Sequence, residues 1–177
     1  MPQSTLETIS LNTDSNTLIS TTWVDRFEVA GLTLPSQQLI SIQFVFQASS
    51  ASGSFVITNA YVGHGTGTNN YAFAATPTQL LFSGSAGVTI SQGTSVTTDM
   101  CFFQYDKTDA LLVAYYAVSA SFCRCVVSGT NISYYYKAGS DAATVAKTGY
   151  ASAAGDLGIN QIIGYTPNGI ARLLMAA

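Results

Sequence analysis

The sequence predicts an all-β protein, an antiparallel β-sandwich of jelly-roll-like type, and three observations predict it. Apolar residues recur at every second position in run after run. Gly- and Ser-rich turn signals part those runs at intervals of about 8 to 12 residues. Val, Ile, Thr, Tyr and Phe, which fill a pleated face, are abundant, with 10 Tyr and 9 Phe.

The elements follow in chain order. Residues 1–20, MPQSTLETISLNTDSNTLIS, are polar and nearly uncharged and predict an N-terminal arm or edge strand; residues 21–177 form the single sandwich domain. TWVDRFEVA is the first full strand. In LISIQFVFQ, residues 39–47, Ile40, Ile42, Phe44 and Phe46 share one face and Ser41, Gln43 and Gln47 the other, which predicts a half-buried strand. The same period recurs in SFVITNAYV, and in SVTTDMCFF, where Val96, Thr98, Met100 and Phe102 align. ALLVAYYAV is apolar on both faces, as a central strand of a sandwich is. TQLLF, GVTI, SFCRCVV, NISYYYK, NQIIGY and IARLLMA are further strand candidates, although Ile170–Ala177 also suits a short helix. Residues 138–160, rich in Ala, Gly and Ser, predict a long exposed loop around a short strand at Ala143–Lys147. Turns fall at 49–54, 63–70, 83–87, 91–95, 106–109 and 128–131.

Composition narrows function. Charged residues make up only 8% of the 177-residue chain, against about 25% in an ordinary soluble domain. Its surface must be solvated by Ser, Thr, Asn, Gln and Gly, which do not make copies of the protein repel one another. Six basic residues, scattered singly, and a net charge of -3 predict no nucleic-acid partner. No apolar run is long enough for a membrane helix and the N-terminus lacks a signal-peptide pattern, so neither a membrane partner nor export is expected. Cys101, Cys123 and Cys125 are an odd count and predict buried free thiols; the last two, about 6.5 Å apart along a strand, are poorly placed to bridge each other. Their spacing and one distant His do not form a zinc ligand set, and no metal or other cofactor is expected.

His64, the chain's only histidine, lies in the glycine-rich stretch YVGHGTGTNNYAF. It has no acid or nucleophile at a telling spacing, so the expectation is a turn whose glycines surround an imidazole bonded to the backbone. SGSAG at 83–87 has Ser83 where a nucleophile elbow needs glycine. Asp106 and Asp109 flank a turn and are expected to cap it, while Asp25 and Glu28 fall on opposite strand faces. Asn131-Ile132-Ser133 fits a glycosylation sequon that matters only in a secretory compartment. In Tyr134-Tyr135-Tyr136 and Tyr115-Tyr116, successive rings must point to opposite faces. One ring of each set can then pack inward and another offer a flat face with a polar tip to a sugar or a protein. His64, Asn69, Tyr71 and Tyr135 are the candidate ligand-binding residues, and no catalytic residue is assigned.

Between Gly31 and Ala120, the stretches FVITNAYVGHGTG, PTQLLFSGSAGVTISQGTSVTTD and KTDALLVAYYAV resemble a β-sandwich module of phage virion structural proteins, also found beside phage-associated esterase domains. This chain carries Ala110 where the pattern begins an Asp-Leu pair. The resemblance implies a non-enzymatic virion accessory or structural protein: a decoration, fibre, spike or tail subunit assembled in the host cytoplasm. Its implied partners are copies of itself and other capsid or tail proteins. The alternative expectation is a glycan-binding, receptor-binding or lectin-like module recognising a bacterial surface carbohydrate.

Overall fold

The computed structural model describes residues 11–12, 19–28, 32–33, 39–50, 53–105, 109–119, 124–125, 131–153, 158–165 and 174–175. Fifteen strands run through these residues: β1 (Leu11–Asn12), β2 (Thr21–Phe27), β3 (Leu32–Thr33), β4 (Leu39–Gln47), β5 (Phe55–His64), β6 (Thr78–Leu80), β7 (Val88–Ile90), β8 (Ser95–Thr97), β9 (Cys101–Tyr105), β10 (Leu111–Ser119), β11 (Arg124–Cys125), β12 (Ile132–Ala138), β13 (Ala151–Ala153), β14 (Ile159–Tyr165) and β15 (Leu174–Met175). The described residues contain no helix, and all strand pairings are antiparallel.

Two sheets pack face to face into the β-sandwich that the periodicity predicts. The larger runs β13-β12-β2-β10-β5, with β6 and β7 sharing the far edge of β5. The smaller runs β14-β4, with β8 and β9 sharing the far edge of β4. The chain passes back and forth between them, from β2 to β4, β5, β9 and β10, then from β12 to β14, as a jelly-roll-like sandwich requires.

The interior is aromatic. Trp23 and Phe27 of β2, Phe55 of β5 and Tyr115 of β10 meet Phe44 and Phe46 of β4, all fully buried. The Tyr115 ring stands edge-on to Phe46 at 5.4 Å and to Phe55 at 6.0 Å, contacts worth about 0.5–1.5 kcal/mol each beyond the area they bury. The Tyr115 hydroxyl accepts the Gly158 amide at 3.1 Å, closing β14 onto the core.

Simple alternation fails at two places, and both matter to the candidate site. Along β5 the inward residues are Phe55 and Ile57, then Ala60 and Val62. Against β10, Ala117 pairs with Ile57 and Tyr116 with Asn59, so Thr58 is the extra residue of a bulge. The bulge shifts the phase by one and turns Tyr61 outward. Beyond β8, the chain breaks at Thr98–Met100, where the Thr98 amide donates to the Phe44 carbonyl and its hydroxyl accepts the Phe44 amide. The inward set becomes Cys101, Phe103 and Tyr105, and Phe102, expected inside with Val96, is 82% exposed. The β4 strand is also more buried than alternation predicts, since Ser41 and Val45 are buried beside Ile163 and Tyr165 on its other face.

The outer face of the large sheet is covered too. Val24, Leu112 and Ala114 are buried there beneath Phe73 and Ala142, which belong to the two connections 65–77 and 139–150. This second layer explains why β10 is apolar on both sides. Within the segment expected as an exposed loop at 138–160, most of the described residues from 138 to 153 are exposed, and Ala142 and Lys147 are the ones buried against the sheet. No strand forms at Ala143–Lys147, a series of turns; the short strand of the region is β13. Within Ile170–Ala177, Leu174 and Met175 pair as a strand with β3, not as a helix. Of the predicted arm, Leu11 and Asn12 pair with Cys125 and Arg124, and residues 1–10 and 13–18 lie outside the described set. Asp106 and Cys123 also lie outside it, while Cys101 is a buried free thiol whose burial raises its pKa.

Candidate functional site

The four predicted ligand residues divide between the two faces of the large sheet. Because of the Thr58 bulge, His64 at the end of β5 points into the sandwich, where its ring lies 5.1 Å from Phe103 and 5.5 Å from Tyr105. Its Nε2 is 3.0 Å from the Gln104 carbonyl. A carbonyl only accepts, so Nε2 carries the hydrogen and the remaining nitrogen, Nδ1, is the basic one. Nδ1 is buried with no hydrogen-bond partner among the described residues. The ring ties one sheet to the other.

Asn69, Tyr71 and Tyr135 come together on the opposite, outer face. Asn69 shapes its own turn: its amide N–H donates to the Thr66 hydroxyl at 2.9 Å, its Oδ1 accepts the Tyr71 amide at 3.1 Å, and its Nδ2 donates to the Lys147 carbonyl at 3.1 Å. These bonds join the connection 65–77 to the connection 139–150. They also seat Tyr71 between Tyr135, at 5.4 Å, and Tyr150, stacked at 5.0 Å. Tyr135 faces outward because Tyr134 and Tyr136 pack inward, as strand alternation requires.

The fastening of this layer is a lysine. Lys147 is only 1% exposed. Its ammonium donates to the carbonyls of Asp141 at 2.5 Å, Ala142 at 2.9 Å and Thr144 at 2.7 Å, and sits 4.9 Å from the Phe73 ring centre. Three carbonyls use all three ammonium hydrogens, and the ring adds a cation–π contact of about 0.5–2 kcal/mol. Burial pushes the Lys147 pKa down to about 8, against the opposing pull of the Asp141 charge. For Asp141, burial alone would raise the pKa, but hydrogen bonds from Thr144 and Lys137 and the charge of Lys147 hold it below the usual carboxyl value. Asp141 takes Lys137 Nζ at 3.2 Å and the Tyr150 hydroxyl at 3.3 Å. Burial, followed by the neighbouring carboxylate, holds the Tyr150 phenol well above its ordinary value.

Other sequence candidates for chemistry have structural duties. Ser83 and Gly84, at φ +52° and +79°, form a two-residue hairpin closed by reciprocal Phe82 and Ser85 backbone bonds. The Asp99 carboxylate accepts both of their amides, at 3.0 and 2.6 Å, so SGSAG is a clamped turn. Asp25 is fully buried in the interior, whereas Glu28 pairs with Arg26, so the two acids do not converge. No group of three or more His, Cys, Asp or Glu side chains among the described residues is placed to hold a metal.

Sequence reasoning missed Lys147, Asp141, Tyr150 and Tyr61, which complete the outer face, while the Tyr115-Tyr116 pair divides as strand alternation predicts, Tyr115 inside and Tyr116 on this face. Only the presence of a lysine in so weakly charged a chain could have hinted at the first; the others carry no local pattern. A scan against protein-family models finds no match for this chain, and a search of curated proteins finds none either.

Proposed function

We propose that this protein is a non-enzymatic structural subunit of a bacteriophage particle, assembling with copies of itself and contacting neighbouring capsid or tail proteins. The observation that carries the reading is Phe102, 82% exposed on β9, with Met100 at 42% just before the strand and Leu81 at 37% nearby. Leu81 is held close by the bond from the Asp99 amide to its carbonyl, at 2.7 Å. A large aromatic left in water has a use when another protein covers it. A surface with 8% charged residues lets copies approach without repulsion. The virion context rests on the resemblance over residues 31–120.

Two measurements test it. Light scattering at micromolar concentration is expected to give a mass several times 18.6 kDa, and electron microscopy of phage particles to show the sandwich at repeated positions. A monomer that is missing from particles overturns the reading.

A further inference from the structure

We propose that two copies of this chain pair across a two-fold axis through the open part of the small sheet, the outward side of β8 and β9 around Phe102. The inference rests on the assembly reading and deepens it, by naming the surface that meets and its symmetry.

Charge is absent from this sheet. Between Glu28 and Asp99 the sequence holds no Asp, Glu, Lys or Arg, and β9 and β14 add none, so no strand of the small sheet carries a charged side chain. The large sheet, by contrast, has Asp25 and Arg26 on β2 and Lys137 on β12. Asp99, at the break before β9, has its carboxylate on the amides of Ser83 and Gly84. A sheet face or edge that stays in water ordinarily carries Lys or Glu, which keep copies apart.

Strand register shows which part of the face is open. Ser41 and Val45 of β4 and Ile163 and Tyr165 of β14 are already buried on its outward side. Beyond β4, Phe102 pairs with Ser41 and Thr97 with Val45, which puts the two about 13 Å apart along one edge. Gln104, two residues after Phe102, and Ser95, two before Thr97, face the same way, and all four are exposed. The bond from the Asp99 amide to the Leu81 carbonyl brings Leu81 to the margin of this column.

Area and symmetry identify the partner. Phe102, Met100 and Leu81 expose an apolar patch on the order of a few hundred Å², less than the roughly 800 Å² that each side of a stable interface buries. The contact must therefore spread over Ser95, Thr97 and Gln104, and these are uncharged. Across a two-fold axis a surface meets itself, so any charge near the axis would face its like. A surface built for a different protein gains register and encounter rate from opposite charges, and this one offers none. A second copy is the occupant it fits.

Sedimentation velocity of the full chain across a dilution series at low salt tests the pairing. Two double variants make the surface uniformly charged: Thr97→Lys with Gln104→Lys, and Thr97→Glu with Gln104→Glu. Both positions are exposed, so the core is untouched, and the near-ultraviolet dichroism of buried Trp23 checks that each variant is folded. Each double variant is expected to pair with its own copies at least tenfold more weakly than wild type, and an equimolar mixture of the two to recover pairing. Ser152→Lys, at an exposed position on β13 at the far edge of the large sheet, should leave pairing unchanged. If wild type associates and both double variants match it, or Ser152→Lys weakens it as much as they do, this surface is not the contact, and the assembly reading survives. Weakened variants that do not recover on mixing show that the face meets a different surface, which overturns the two-fold pairing. A wild type that stays monomeric throughout the series overturns the pairing and the self-assembly together.

Discussion

Nε2 of His64 and the carbonyl oxygen of Gln104 meet at 3.0 Å, a single hydrogen bond that ties β5 of the large sheet to β9 of the small one. His64→Ala removes that bond and the ring packed on Phe103 and Tyr105. A stability loss of about 1–2 kcal/mol is expected in urea denaturation. An unchanged midpoint would show that the tie is idle.

Lys147 makes a pH-dependent contribution whose sign is opposite to that of an ordinary ion pair. Its proton leaves near pH 8 in the folded chain but near 10.5 in the unfolded one. Between those values the unfolded chain holds more protons, so this group's contribution to stability rises with pH and is lost as pH falls through about 8. The stability difference between wild type and Lys147→Met, measured at pH 7 and pH 9.5, should therefore move in favour of wild type at the higher pH. Movement the other way contradicts the assignment.

Asp99 holds two amides of the Ser83-Gly84 hairpin. Asp99→Ala should cost about 1–2 kcal/mol, because both donors lose a charged acceptor. Ser83→Gly should be neutral or slightly stabilising, since Ser83 sits at φ +52°, which glycine adopts without strain. Thermal melts of the two variants distinguish the roles.

Gly158 packs so closely that a Cβ there would lie 2.5 Å from the Phe55 ring. Gly158→Ala must push a fully buried aromatic out of place and is expected to lower stability by about 1–3 kcal/mol in urea titration. A melt like that of wild type would mean that β14 is free to shift.

Phe102→Ser should weaken self-association several-fold while changing monomer stability by less than about 0.5 kcal/mol, because the ring is already in water. Sedimentation across a dilution series reads the first effect and urea denaturation the second. Equal association by both proteins removes the patch from the assembly reading.

Much of this was legible before any coordinates. Ile42, Phe44 and Phe46 face inward as their spacing predicts, β10 is a central strand as its two apolar faces predict, and Tyr134, Tyr135 and Tyr136 alternate as they must. The misreadings at Met100, Phe102 and the strand expected at Ala143–Lys147 share one cause. Each depends on bonds between residues far apart in sequence: Thr98 on Phe44, Asp99 on Leu81 and on Ser83, and Lys147 beneath Phe73.

By itself the amino-acid order determined a weakly charged, aromatic, two-sheet body with its turns where Gly and Ser collect, because side-chain periodicity and turn chemistry are local properties of the chain. The tertiary structure decided which way the functional candidates face. One extra residue, Thr58, set against β10 sends His64 inward to Gln104 and Tyr61 outward to join Tyr135 and Tyr116. A bulge of that kind is chosen by the packing of the partner strand, and a period-two pattern read along one strand has no term for it.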